Sequence, residues 1–166
     1  MLAAESAWAV LRAEHARIRD LLDQADEVIS APGIVLGVKA QTLADVVEHL
    51  QDFDEAIHRP KGFLLLTFLQ GRAPETDELL SRLATTRKRC DNLLTEVRNM
   101  LKLAEAGVPN SAERVPELLA EHRSLTLEHL EAEDTLLHSQ SALHLSRDEW
   151  AAIASSISDA MTPPKV

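Results

Sequence analysis

A chain of 166 residues with 45% hydrophobic content is long enough to close a core of its own as one domain, and its formal charge of −10, from 27 acidic against 17 basic side chains, offers no basic footprint to nucleic acid or an anionic membrane. Cys90 is the single cysteine, so no internal disulfide can form and a cytoplasmic setting is expected. The amino terminus carries acid early and has no apolar core behind a basic start, so it does not read as a secretory leader, and no stretch reaches the length of a membrane span.

Few glycines, no tyrosine and abundant alanine and leucine favour helix throughout. The first helix is expected over residues 2–30, with Leu11, His15, Ile18, Leu22, Ala25 and Ile29 in one stripe. The Ala31, Pro32, Gly33 turn ends it. A second helix begins near Val38 and presents Leu43, Val46, Val47, Leu50, Phe53 and Ile57 inward, with His58 on the edge of that face and His49 on the solvated flank. Pro60 should bend it just after His58 and Gly62 weaken it, before it recovers as Phe63 to Leu69. That last segment is apolar all round. One face of a bundle helix meets water, so Phe63, Leu64, Leu65 and Phe68 are candidates for an interface with a second copy or a protein partner, the alternative being a carboxy-terminal helix that covers them.

The third helix should run from Pro74 to about Ala106, with Gly107 past its end. Its stripe is Leu79, Leu83, Arg87, Cys90, Leu94, Val97 and Leu101, so an arginine stands in the seam. It either escapes to solvent along its stem or serves a purpose inside. The fourth helix spans Val115 to Gln140, its start open between Asn110 or Ser111 and the turn holding Pro116. Ser146 and Glu149 form a capping box that opens a short last helix with Trp150, Ile153 and Ile157 on one face. Residues 161–166 read as a frayed tail, leaving one domain over residues 1–160. The expected fold is all-α, an up-down-up-down four-helix bundle with a short carboxy-terminal helix.

The stripe of the fourth helix reads Val115, Leu118, His122, Leu125, His129, Glu133, Leu136, with two histidines and a carboxylate where packing wants leucine. His129 and Glu133 are one turn apart, the spacing that offers an imidazole and a carboxylate to one inward metal; hydrogen bonding within a bundle core is the plain alternative. Counting from each turn brings His15, His58, Arg87 and His129 into one layer, to within a helical turn of ~5.4 Å, with Glu133 one turn further. His122 lies two turns the other way and reads as a polar core residue. Three histidines and a carboxylate in one layer favour a metal site.

These segments resemble the bacterial hemerythrin-like proteins of the HHE cation-binding type, over nearly the whole chain: EHARIRDLL, IHRPKGFLLL, EHLEAEDTLL and LSRDEWAAI. The family carries a histidine on helix 1, HxxxE on helix 2, one or two histidines on helix 3 and HxxxE or HxxxxD on helix 4, holding two iron ions bridged by carboxylates. The resemblance assigns His15, His58, His129 and Glu133 as metal ligands. It fails twice, at Gly62 in place of the helix 2 carboxylate and at Arg87 in place of the helix 3 histidine.

What the resemblance then implies is a hemerythrin-like protein with an incomplete site, binding one iron or zinc ion or none, with Arg87 standing in for the missing cation beside Glu133. A small ligand such as O2 or NO, or redox sensing, would follow from an open metal position. The alternatives are a haem or small-molecule module, a metal-free interaction scaffold, and an enzyme working at the open position.

Overall fold

The computed structural model describes residues 2–31 and 36–163, with the backbone alone for residues 36–38. Four helical rods make up the bundle. Helix α1 (Leu2–Ser30) is the first. The second is α2 (Leu36–Asp52), which passes through a wider π turn (Phe53–His58) into α3 (Arg59–Leu69). The third is α4 (Pro74–Glu105), and the fourth is α5 (Val115–Ala132) continuing through a second π turn (Glu133–Leu137) into α6 (His138–His144). A short α7 (Arg147–Met161) follows. Rod packs on rod in a closed ring, α1 on α2, α2 on α4, α4 on α5 and α5 back on α1, while α7 lies across α1 and α3.

The ends follow the local chemistry. Pro74 opens α4, where a missing N–H costs nothing. Gly107 closes it at φ 80, with Val108 N–H donating to Leu103 O and Gly107 N–H to Ala104 O, the paired bonds of a left-handed cap. The fourth rod begins at Val115, with Pro116 in its first turn, which settles the ambiguous start. The capping box of α7 forms as expected: Glu149 N–H donates to Ser146 Oγ at 3.2 Å and Ser146 N–H to Glu149 Oε2 at 2.8 Å. Pro32 and Gly33 of the expected first turn, and residues 164–166 of the expected tail, lie outside the described residues.

The core is two clusters with a gap between them. One gathers Ile18, Leu50, Leu94 and Leu130 with their neighbours, the other Leu11, Leu65, Leu83 and Leu137 with theirs. In each rod the residue between the two clusters is polar: His15, His58, Arg87 and Glu133. The polar layer therefore sits across the bundle between two apolar plugs.

Both π turns change what the helical period implies. Each fits one more residue into a turn, so the stripe slips by one position. Ile57, expected inside, is 45% exposed, and His58, expected at the edge, is buried at 4%. At the end of the second π turn Leu136 is 48% exposed while Leu137 takes its place in the core.

The apolar run in α3 also departs from expectation. Leu65, a leading interface candidate, is 1% exposed and belongs to the core cluster that includes Trp150, Ile153 and Ile157 of α7. Leu64 and Phe68 are half-buried against the same cluster. Of the four candidates Phe63 alone stands out, at 69% exposure. The covering α7 accounts for the rest.

Candidate metal centre

His15 comes from the stripe of α1, His58 from the last residue of the first π turn, and Glu133 from the first residue of the second. One donor atom from each lies within 4.8 Å of the others, and all three residues are buried. Donors held about 2.1 Å from a common ion stand roughly 3–4.2 Å apart, depending on the angle between them. His15 Nε2 is 3.0 Å from Glu133 Oε2 and His58 Nε2 is 3.8 Å from the same oxygen. The His15 contact is not aligned as a hydrogen bond, and Nε2 has no other protein partner. A buried ring nitrogen without a hydrogen bond, beside a carboxylate oxygen, is an arrangement a shared cation satisfies.

Each imidazole is backed by its own carboxylate. His15 Nδ1 is 2.7 Å from Asp134 Oδ1, and Arg19 fixes the other oxygen of Asp134 at 3.1 Å. His58 Nδ1 is 3.1 Å from Glu14 Oε1, and Lys61 pairs with the other oxygen of Glu14 while also donating to Ile57 O at 3.1 Å. With Nδ1 turned to a carboxylate on each ring, Nε2 is the nitrogen that faces Glu133, and on His58 an incoming ion would displace its proton; such backing orients metal-ligating histidines and raises their basicity. Lys61, three residues after His58 and four before Leu65, keeps the stripe's own spacing, whereas Glu14 and Asp134 escape the stripe count because they flank it by one position. Their signal was adjacency: Glu14 directly precedes His15, and Asp134 directly follows Glu133.

Glu133 is the hinge of the arrangement. Its Oε2 faces His15 and His58, while its Oε1 is 3.0 Å from His129 Nε2 and 3.5 Å from Arg87 Nη2. His129 is thus placed on the far oxygen, outside the three-donor set. Burial alone would push the Glu133 carboxyl up, but the imidazoles of His129, His15 and His58 outweigh it and hold the group well below the usual carboxylate range. Burial likewise opposes charge on His58, yet Glu133 and Glu14 push it up to about 9. Glu14, which burial would also raise, is held down by His58 and Lys61.

The cavity bounded by His15, His58, Gly62, Arg87 and Glu133 measures about 20 Å3, enough for one water-sized occupant. A Cβ added at Gly62 would meet nothing within 4 Å, so no clash at that atom keeps a side chain from the position. The donor set therefore fits one cation and does not fit two. On the Oε1 side a second dication would meet a guanidinium, with His129 as its one nitrogen donor among the described residues.

A second, half-buried polar group braces the first π turn. Arg59 donates from Nη2 to Asp54 Oδ2 at 2.6 Å and grips both oxygens of Asp91 on α4, with Nη1 at 3.1 Å from Oδ2. This clamp ties the turn that carries His58 to the third rod. The remaining sequence candidates are placed as follows: His49 is exposed, Cys90 is half-buried, and His122 is buried about three turns before Glu133.

Among the described residues no helix is long and apolar enough to cross a membrane. No curated protein and no solved structure matches the chain with significance. The Hemerythrin HHE cation binding domain matches residues 6–140, most of the chain and all of the residues just described. The match, the helical bundle and the buried His–Glu cluster agree, and the chain belongs to the hemerythrin HHE cation-binding domain family.

Proposed function

We propose that this chain holds a single divalent cation, iron(II) or zinc(II), between His15, His58 and Glu133, with the Arg87 guanidinium in the place where a second ion would balance Glu133. The observation that carries the reading is the division of one carboxylate: Oε2 faces two carboxylate-backed imidazoles, Oε1 faces an arginine. Two histidines and one carboxylate leave positions open, and the bound ion would supply a place for a small ligand such as O2 or NO. Reversible two-electron carriage of O2 is not part of the proposal, since it draws one electron from each of two irons. Haem is not part of it either, because the cavity of about 20 Å3 is far below the size of a cofactor pocket.

The residues of the chain supply orientation and seclusion. Asp134 and Glu14 fix the two rings, the apolar clusters on either side keep bulk water out, and Arg87 holds Oε1 with a charge that neither exchanges nor changes oxidation state. The test is anaerobic calorimetric titration of Fe(II) and of Zn(II), with metal analysis of the product. One ion per chain is expected, with binding abolished in His58→Ala. Two tightly held ions, or none in either titration, would overturn the reading.

A further inference from the structure

The first π turn is closed twice by the same two residues. Arg59 N–H donates to Asp54 O, the bond to the fifth residue back that marks a wide turn, and the Arg59 side chain returns to the Asp54 carboxylate, with Nε at 2.8 Å and Nη2 at 2.6 Å from Oδ2. In a regular α-helix residues five apart stand about 140° apart around the axis, so this side-chain bond favours the wide turn over the narrow one.

The guanidinium also grips Asp91 of α4, with Nη1 on Oδ2 at 3.1 Å and Nη2 on Oδ1, and α4 packs on α2 just before the turn. Four of its five N–H groups are spent on these two carboxylates, so it is occupied in holding and not free to receive a ligand.

The register matters because His58 is the last residue of the turn. Successive residues of an α-helix point about 100° apart. If the extra residue were let out of the turn, the inward place would fall to Ile57, which the wide turn leaves 45% exposed. His58, now buried with Nε2 3.8 Å from Glu133 Oε2, would swing to the edge. The second π turn, which opens with Glu133, is tied in a like manner to α1, where Arg19 meets Asp134 at 3.1 Å. Each wide turn thus carries one donor of the cation site and one carboxylate fastened to a neighbouring rod.

We propose that Asp54, Arg59 and Asp91 are positioning residues of the cation site: their clamp holds the π turn open and so keeps His58 aimed at the ion. None of the three belongs to the donor set. The proposal rests on the single-cation reading and differs from a plain surface ion pair, which would add a little stability and leave the site alone.

The experiment compares the full-length parent with Arg59→Met, Arg59→Lys and Asp91→Asn, first without metal and then with Zn(II). In the metal-free chains the His58 ring 15N resonances are expected to move in Arg59→Met, because the ring leaves Glu14, while those of His144 at the end of α6 hold still. With Zn(II), binding is expected to weaken about tenfold or more, and zinc X-ray absorption to show one imidazole in place of two. Arg59→Lys keeps the charge without the fork and is expected to behave as Arg59→Met does. Asp91→Asn, which keeps one acceptor, should fall between and serves if the Arg59 variants do not fold.

Unmoved His58 resonances in the metal-free variants, or parent-like affinity in Arg59→Lys, would overturn the proposal. Weaker binding with both imidazoles still on zinc would overturn it as well, since that marks a general loss of stability. A parent that takes no zinc would sink the cation reading instead, and the metal-free resonances would still decide whether the clamp sets the register of His58.

Discussion

Arg87 Nη2 stands 3.5 Å from Glu133 Oε1, on the carboxylate oxygen that His15 and His58 do not approach. In a two-ion centre that oxygen would bridge to the second ion. Here a guanidinium stands against that oxygen, and the other oxygen faces the two imidazoles.

Breaking this pair in the metal-free protein should destabilise it, because Glu133 would keep its burial and lose a cation. The Arg87 side chain is 25% exposed and the contact is 3.5 Å, so Arg87→Met should cost about 1–3 kcal/mol, below the roughly 3–5 of a fully buried pair. Adding Glu133→Gln should recover much of that loss. Urea unfolding of the parent, both single variants and the double variant gives the coupling; equal stability of all four would mean the pair contributes nothing.

Gly62 and Arg87 are the two positions where the chain departs from the two-ion pattern, and a Cβ at Gly62 would meet nothing within 4 Å. Gly62→Glu with Arg87→His should therefore raise the Fe(II) stoichiometry from one to two per chain, whereas Gly62→Glu alone should place a carboxylate against Arg87 and leave it at one. Gly62→Ala isolates the backbone effect and should stabilise the helix by about 0.5–1 kcal/mol. A double variant that still takes one ion would show that the second position is closed by more than these two residues.

Asp134 touches no metal donor position of its own but fixes the His15 ring through Nδ1. Asp134→Asn should weaken metal binding by about 10–100-fold without abolishing it. Competition against a chromophoric chelator measures the change, and an unchanged melting temperature of the metal-free variant would exclude a general loss of structure. Unchanged affinity would remove the orienting role.

His122 makes stability depend on pH in a definite direction. Its folded pKa is about 4, lowered by burial, against 6.5 for the free side chain. Between these values the unfolded chain binds a proton that the folded chain does not, so the stability is complete above pH 6.5 and declines as pH falls to 4. The groups acting on it are Asp54 and Asp91, which oppose the shift, with Thr126 at Nε2. The stability difference between the parent and His122→Phe should shift by about 3 kcal/mol against the parent from pH 7 to pH 4. A difference that stays constant across that range would show that the ring is protonated in the folded state.

Much of this architecture was legible because most of each rod is regular α-helix. The stripe through Leu11, His15, Ile18 and Leu22 needs nothing but a 3.6-residue period, and all four residues are buried. Arg87 was visible as a charge in an apolar seam. The period fails at the π turns, which is why Ile57 and Leu136 were placed inside and why His58 seemed to lie at the edge. No propensity marks such a turn; the wider turn depends on packing between rods, here reinforced by the Arg59 clamp to Asp91 on α4. Glu14 and Asp134 lay one position off the stripe, and single-helix counting treats such residues as solvated, while Lys61 kept the stripe's spacing but as a lysine read as solvated too. Leu65 looked exposed because the segment is apolar all round; the chain covers it with α7, a long-range contact that local patterning does not contain.

The central claim is one cation on Oε2 and one guanidinium on Oε1 of the same carboxylate. Anomalous diffraction from crystals grown with Fe(II) under anaerobic conditions tests it most directly. The account predicts one anomalous peak per chain, enclosed by His15 Nε2, His58 Nε2 and Glu133 Oε2, with Arg87 still against Oε1. A second peak beside Oε1 with the guanidinium turned out to solvent, or no peak among the three donors, would contradict it.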